Sequence, residues 1–444
     1  MDFNDTPEES LFRAEARDFL TAHAQLKNDS EPRDESEAEY LARAKAWQKL
    51  KYENGWACLN WPKEYGGRDA TPMQLIIWNQ EESRYDVPTA PFAIGLGMCG
   101  PTMIAYASEE QKREMLPRMA SGEHVWCQLF SEPAGGSDLA ALRTKAERVG
   151  DEWVVNGQKI WTSGAHYSDW GILVTRSDPT VPKHKGLTFF FLDMHSPGVT
   201  VKPIKQISGD ANFNEVYFAD VRIPDAQRLG AVGQGWQVSL TTLMNERLAV
   251  GNAGGADFDD ALALASAVKL DGAPAIRNQA VREKLADWYC QSSGLRFTNY
   301  RVISALSRGA TPGPENSITK VVSAKKQQDI GSFGMDLMDM GGILMDPKRV
   351  PADLAFQQNF MGAPGYRIAG GTDEILRNII AERVLGLPPD IRVDKSVPFN
   401  EIPRAGPSPR RHRATPEPKE PIAHRLGQTL EHRCPRSVIC AVIE

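Results

Sequence analysis

The chain has 444 residues, 41% hydrophobic and 24% charged, enough for two or three domains with cores of their own. A formal net charge of −6 and a pI near 5.9 leave no electrostatic footprint for nucleic acid, and no apolar run approaches the roughly 20 residues that span a bilayer. The six cysteines, at 58, 99, 127, 290, 434 and 440, form no Cys-x-x-Cys pair and have no histidine at metal-ligand spacing, so neither a metal site nor a disulfide framework is expected.

The amino terminus, Met1 to Glu9, is acidic and runs straight into a helical pattern, unlike a basic presequence, which predicts a soluble cytoplasmic protein. Thr6-Pro7-Glu8-Glu9 offers an N-cap, a proline at the first helical position and acids in the first turn. Leu11, Ala14, Phe19 and Leu20 then follow at roughly helical spacing. Trp61 to Gly67 is a turn-rich break and Met73 to Ser83 is again helical, so residues 1–122 are predicted to form a helical domain. Residues 123–226 change to short β-branched and aromatic runs and are predicted to form a β domain. Within it, Asn156-Gly157 carries a hairpin signal, and Leu187 to Asp193, Val199 to Ile204 and Asn214 to Arg222 read as strands. Cys127 is expected to be a packed core thiol.

Helical texture resumes near Gly235, where Trp236, Leu240, Leu243, Arg247 and Val250 share one predicted stripe. Helices are also predicted over 275–309, 317–335 and 372–385, which makes 227–387 a second helical domain. Beyond Leu387, repeated prolines and runs such as Arg410-Arg411-His412-Arg413 predict a disordered tail over 388–444. Such a segment cannot bury enough apolar area to offset roughly 1–2 kcal/mol of ordering entropy per residue. Truncation after Leu387 is therefore expected to be harmless.

Four segments carry chemistry. In Ser131-Glu132-Pro133-Ala134-Gly135-Gly136-Ser137-Asp138 the glycines let backbone amides approach a planar ring or an anion, and Ser131 and Ser137 add hydroxyl donors. Trp161-Thr162-Ser163-Gly164 follows on the same β block. In Met244-Asn245-Glu246-Arg247, Leu243 and Val250 flank Glu246 along a helix and would desolvate its carboxylate toward the pKa of a useful base; the plainer alternative is a surface Glu–Arg pair. Gly370-Gly371-Thr372-Asp373-Glu374 opens a helix whose N-terminal amides suit a phosphate, though Thr372 also serves as an ordinary N-cap.

Taken in order over roughly residues 6 to 387, and with Arg367 to Gly386 the strongest match, these segments resemble the acyl-CoA dehydrogenases. The resemblance implies an α+β fold with an N-terminal α-helical domain, a middle β-barrel-like domain and a C-terminal four-helix-bundle domain. It implies FAD held by Gln128, Phe130, Ser131, Gly136, Ser137, Trp161, Thr162, Ser163, Thr372 and Glu374, with acyl-CoA on Ser137, Arg247 and Gly371. Many members place the glutamate that removes the substrate α-proton just before Gly-Thr, where this chain has Gly370. A subgroup instead carries it before an arginine on the first long helix of the C-terminal domain, which makes Glu246 the base and leaves Gly370 a backbone N–H for the thioester oxygen. The implied reaction yields a trans-2-enoyl-CoA, with the β-hydride passing to flavin N5 and an electron-transfer flavoprotein or similar acceptor reoxidising the flavin. The implied assembly is a homodimer or homotetramer.

Two departures weaken the expected grip on a neighbouring subunit's FAD. Lys269-Leu270-Asp271-Gly272 stands where members carry Arg-x-x-Phe-Gly, and Met338 replaces the glutamine before Gly341-Gly342. They leave open a catalytically dependent or scaffolding subunit of a hetero-oligomer. A flavin oxidase or monooxygenase on the same fold is a further alternative, disfavoured by Glu246.

Overall fold

The computed structural model describes residues 5–27, 33, 35–249, 255–306, 313–314, 316–392 and 394–402. The first helix, α1 (Pro7–His23), begins at a complete capping box in which Thr6 and Glu9 bond each other's backbone N–H. Its buried face is Phe12, Ala16 and Leu20, while Leu11, expected inside, is 73% exposed. With α2 (Glu37–Glu53) and α3 (Pro72–Glu82) it closes an aromatic core in which Trp56 stacks on Trp78 at 4.7 Å. Short helices α4 (Gly100–Tyr106) and α5 (Glu109–Ala120) lead into the sheet.

Eight strands follow: β1 (Trp126–Leu129), β2 (Lys145–Val149), β3 (Glu152–Ser163), β4 (Trp170–Arg176), β5 (Leu187–Asp193), β6 (Val199–Ile204), β7 (Phe213–Pro224) and β8 (Arg228–Leu229). They pair in the order β6-β7-β3-β2-β4-β5-β8, with β1 parallel on β4. The neighbouring strands β4 and β5 are buried on both faces, so β5 reads as a nearly continuous apolar run, whereas β2 and β6 keep an exposed side. Phe189 and Phe191 enter the core shared with α4 and α5, and Phe190 and Leu192 enter a second core on the other face. On β1 the same alternation sends Trp126 to the first core and Cys127 and Leu129 to the second. Burial pushes the Cys127 thiol up to about 12, as suits a core thiol.

Asn156-Gly157 is not a hairpin turn. It lies inside β3, where the pairing with β7 slips between Val155 and Gly157. The glycine is needed for close approach, since a Cβ there would meet Thr144 Oγ1 at 2.5 Å. The β2–β3 turn falls instead at Gly150, whose φ is +65°.

The carboxyl-terminal helices are α6 (Gly235–Ala249), α7 (Phe258–Ala267), α8 (Gln279–Leu306), α9 (Asn316–Leu337), α10 (Ala355–Tyr366) and α11 (Asp373–Ile379). Between α7 and α8, β9 (Lys269–Leu270) and β10 (Ala273–Pro274) form a small hairpin around Asp271 and Gly272, both at positive φ. The predicted stripe of α6 holds in part: Trp236 and Leu243 pack against the core shared with α4 and α5. Among the described residues of α6 the fully buried side chains are Val238, Ser239 and Thr242, and Leu240 is exposed. Small residues let the helix sit close to α4, with Thr242 and Thr102 hydroxyls 2.8 Å apart. The rest of the predicted stripe, the side chains of Arg247 and Val250, lies outside the described residues.

Disorder was expected from residue 388, but residues 394–401 dock on the β domain. The Phe399 and Asn400 N–H groups donate to the carbonyls of Val181 and Pro179 at 3.0 Å, and Asp394 pairs with Lys183. Phe399 supplies the apolar anchor the composition hid, its ring lying 3.8 Å from the Arg176 guanidinium. The remainder of the tail, from residue 403, lies outside the described residues.

Candidate active site

The loop from Ser131 to Asp138 is shaped by its own backbone, Glu132 and Gly135 exchanging both N–H···O bonds at 3.0 Å. What anchors it is a buried ion pair. Lys159, with 0% of its side chain exposed, donates to Glu132 Oε1 at 2.9 Å and to the Phe130 carbonyl at 3.0 Å. Glu132 accepts further from the N–H groups of Arg143 (2.6 Å) and Thr144 (2.8 Å). Burial alone would raise the Glu132 carboxyl, but the Lys159 charge and these donors bring it below the ordinary glutamate range. Gly136 and Ser137 stay exposed at the loop's tip. The Phe130 ring turns inward, edge-on to Phe189 at 5.7 Å, and with its carbonyl taken by Lys159 the residue is buried.

Ser131 O accepts from Ile160 N–H at 2.9 Å and so lays this loop beside the strand that carries Trp161, Thr162 and Ser163. Trp161 is held at φ +60°, rare for a bulky residue, with its indole 56% exposed beside Phe213. The Thr162 hydroxyl is buried and has no protein partner.

Gln128 and Glu246 meet across the boundary between sheet and helix, Gln128 Nε2 donating to Glu246 Oε2 at 3.2 Å. Glu246 lies one turn beyond the buried Thr242, on the face of α6 that turns toward the sheet. The expected companion Arg247 lies in the same helix, its side chain outside the described residues.

The remaining predicted residues gather at the start of α11. Gly370 and Gly371 have φ of +64° and +94°, and the Thr372 hydroxyl caps the helix by accepting from Ile375 N–H at 3.3 Å. N–H donation at the helix start and the Thr372 hydroxyl hold the exposed Glu374 carboxyl below its ordinary range. Two residues that sequence reasoning missed tie this corner down from within its own domain. Lys320 on α9 donates to the Gly371 carbonyl at 2.6 Å, and Arg367 pairs with the buried Asp373 at 2.7 Å. Lys159 was missed too; a lysine at a buried position of an apolar strand, near a glutamate, is the signal that could have found it.

Residues 6–123, 127–221 and 233–385 match, in turn, the N-terminal, middle and C-terminal domains of acyl-CoA dehydrogenase. Acyl-CoA dehydrogenase IpdE1 of Mycobacterium tuberculosis is 35% identical over 384 residues, covering 85% of this chain and 97% of IpdE1. The chain belongs to the acyl-CoA dehydrogenase family. Acyl-CoA dehydrogenase FadE34 of the same organism is 36% identical over 76% of this chain, which spans 45% of FadE34. Among solved structures, the Tcur3481-Tcur3483 steroid ACAD superposes with a TM-score of 0.73 at 28% identity, covering 88% of this chain and 100% of that one. The ChsE4-ChsE5 complex from Mycobacterium tuberculosis gives 0.70 at 26% identity, with 88% and 100% covered.

The cofactor of this acyl-CoA dehydrogenase is FAD, and the residues present fit it. The unpartnered Thr162 hydroxyl and Gln128 Oε1 await polar atoms, and the part-exposed Trp161 indole offers a flat apolar surface to a planar ring. No helix among the described residues is long and apolar enough to cross a membrane.

Proposed function

We propose that this acyl-CoA dehydrogenase forms the α,β double bond of a bulky, steroid-like acyl-CoA thioester with Glu246 as its base. The observation that carries the assignment is the Gln128–Glu246 contact, which brings a carboxylate of α6 against β1, next to the loop that starts at Ser131. Glu246 takes the α-proton, and the Gly370 N–H donates to the thioester oxygen as enolate charge develops. Ser137, Arg247 and Gly371 hold the acyl-CoA. FAD, when bound, supplies the acceptor for the β-hydride; Gln128, Phe130, Ser131, Gly136, Ser137, Trp161, Thr162, Ser163, Thr372 and Glu374 would hold it. An electron-transfer flavoprotein reoxidises the enzyme in the cytoplasm. The steroid-like class is supported by the solved steroid ACAD named above.

Association with a second chain is part of this reading. Met340, Ile343 and Met345 are 71%, 66% and 53% exposed around the Gly341-Gly342 turn, an apolar edge of the kind that marks an interface. The resemblance implies that members hold a neighbour's FAD at the places of Met338 and the 269–274 hairpin, and the ChsE4-ChsE5 complex joins two different chains. Pairing with a non-identical subunit is therefore the second reading beside a homo-oligomer.

The test is Glu246→Gln in FAD-loaded protein, screened against straight-chain, branched and steroid-side-chain CoA thioesters with an artificial electron acceptor. Wild-type protein is expected to be yellow and to be bleached by one thioester class. The variant should keep FAD and bind thioester but lose about 10²–10⁴-fold in bleaching rate. Near-normal bleaching would remove Glu246 as the base, and protein that refuses FAD when pure would favour the paired-subunit reading.

A further inference from the structure

β1 and the residue after it present Trp126, Gln128 and Phe130 to one core, and Gln128 is the amide in that otherwise apolar series. Its Oε1 is buried with no protein partner and is the atom left for the cofactor, while its Nε2 donates to Glu246 Oε2 at 3.2 Å.

The geometry points to Gln128 as the positioning residue of the base, an inference that rests on Glu246 being that base. Gln128 donates to Glu246 Oε2 and so restricts the rotation of the carboxyl group that is to meet the α-proton. Gln128 sits on a strand paired along its length with β4, so the backbone that carries the donor is fixed. A carboxylate on a long side chain needs such a support, since a displacement of about 1 Å can cost 10²-fold in rate.

The experiment compares Gln128→Met and the shorter amide Gln128→Asn in FAD-loaded protein. Isotope-edited infrared spectra of resting enzyme, differenced against Glu246→Gln, isolate the Glu246 carboxylate band. Loss of the donor should shift that band in both variants. With octanoyl-CoA and a steroid-side-chain CoA thioester as probes, the rate of flavin bleaching should fall about 10–10²-fold while KM changes less than about threefold. Adding Gln128→Met to Glu246→Gln should cause no further loss, because the two residues act as a unit. An unmoved carboxylate band, or losses that multiply in the double variant, would overturn the positioning role. A lower melting temperature with unchanged bleaching per flavin would also overturn it, leaving Gln128 as packing. The base assignment is read separately from Glu246→Gln alone, so its failure cannot be mistaken for that of Gln128.

Discussion

On the β side of the site, the Ser131–Asp138 loop is fastened by groups buried inside its own domain: Lys159, Glu132 and the N–H groups of Arg143 and Thr144. On the helical side, the Gly370–Glu374 corner is tied to Lys320 of α9 and to Arg367, yet past the other end of α9 the surface at Met340 and Ile343 stays open and apolar. The difference is one of completeness. A loop held by a desolvated ion pair has its geometry before any ligand or partner arrives, whereas an exposed apolar edge gains stability when something covers it.

Removing the β-side fastening should produce the largest effect. Lys159→Met leaves the Glu132 carboxylate buried without its counter-charge, and breaking such a pair costs about 3–5 kcal/mol. The expected outcome is a marked fall in thermal stability and in FAD content, and Glu132→Gln in the same protein should restore much of both. Because the Glu132 carboxyl is held below its unfolded value of about 4.3, its stabilisation is complete above that pH and is lost as pH falls through the folded value. Wild-type protein should thus lose stability in acid more steeply than the Lys159→Met, Glu132→Gln double variant; parallel pH profiles would show that the pair does not fasten the loop.

On the helical side the backbone is the sensitive element. Placing glutamate at 370 in Glu246→Gln puts a carboxylate where many relatives carry theirs, but Gly370 sits at φ +64°, where a side chain costs about 1–2 kcal/mol. The expected result is a small recovery of flavin bleaching together with a lowered melting temperature, and Gly370→Ala should show the same thermal loss with no recovery. If Gly370→Ala is as stable as wild type, the corner is looser than its contacts imply, and the contrast with the β side weakens.

The order of helical, β and helical domains, the N-cap that opens α1 and most strands were legible because each rests on local pattern or on a dense motif. What stayed hidden depended on three-dimensional neighbours. Asn156-Gly157 carries a turn signal, but Thr144 packs against it and turns it into a bulge. The α6 stripe was read in part: Trp236 and Leu243 pack on the core, but the small polar Ser239 and Thr242 are buried for close packing while Leu240 is not. Gln128 was expected to address the cofactor; its hydrogen bond to a residue 118 positions away could not be read from either segment alone.

The smallest effect is expected at the carboxyl-terminal strap, and it sharpens the comparison by asking whether the β side is fully self-sufficient. Arg176 is buried and donates to the carbonyls of Leu142, Ala140 and Lys183, so it joins the end of the Ser131 loop to the turn before β5. Phe399 covers that guanidinium, and Asp394 shares Lys183 with Asp138. A desolvated cation–π contact is worth about 2 kcal/mol, and the partly exposed Lys183–Asp394 pair adds little once screened. Truncation after Leu387, expected to be silent on composition alone, should therefore lower the melting temperature by roughly 2–4 °C per kcal/mol lost. Truncation after Ile402 keeps every one of these contacts and should change nothing. Phe399→Ala in the full chain should reproduce most of the loss with FAD content unchanged, because the Glu132–Lys159 pair holds the loop without help from the strap. A drop in FAD content on losing Phe399 would show that the β side depends on the strap after all.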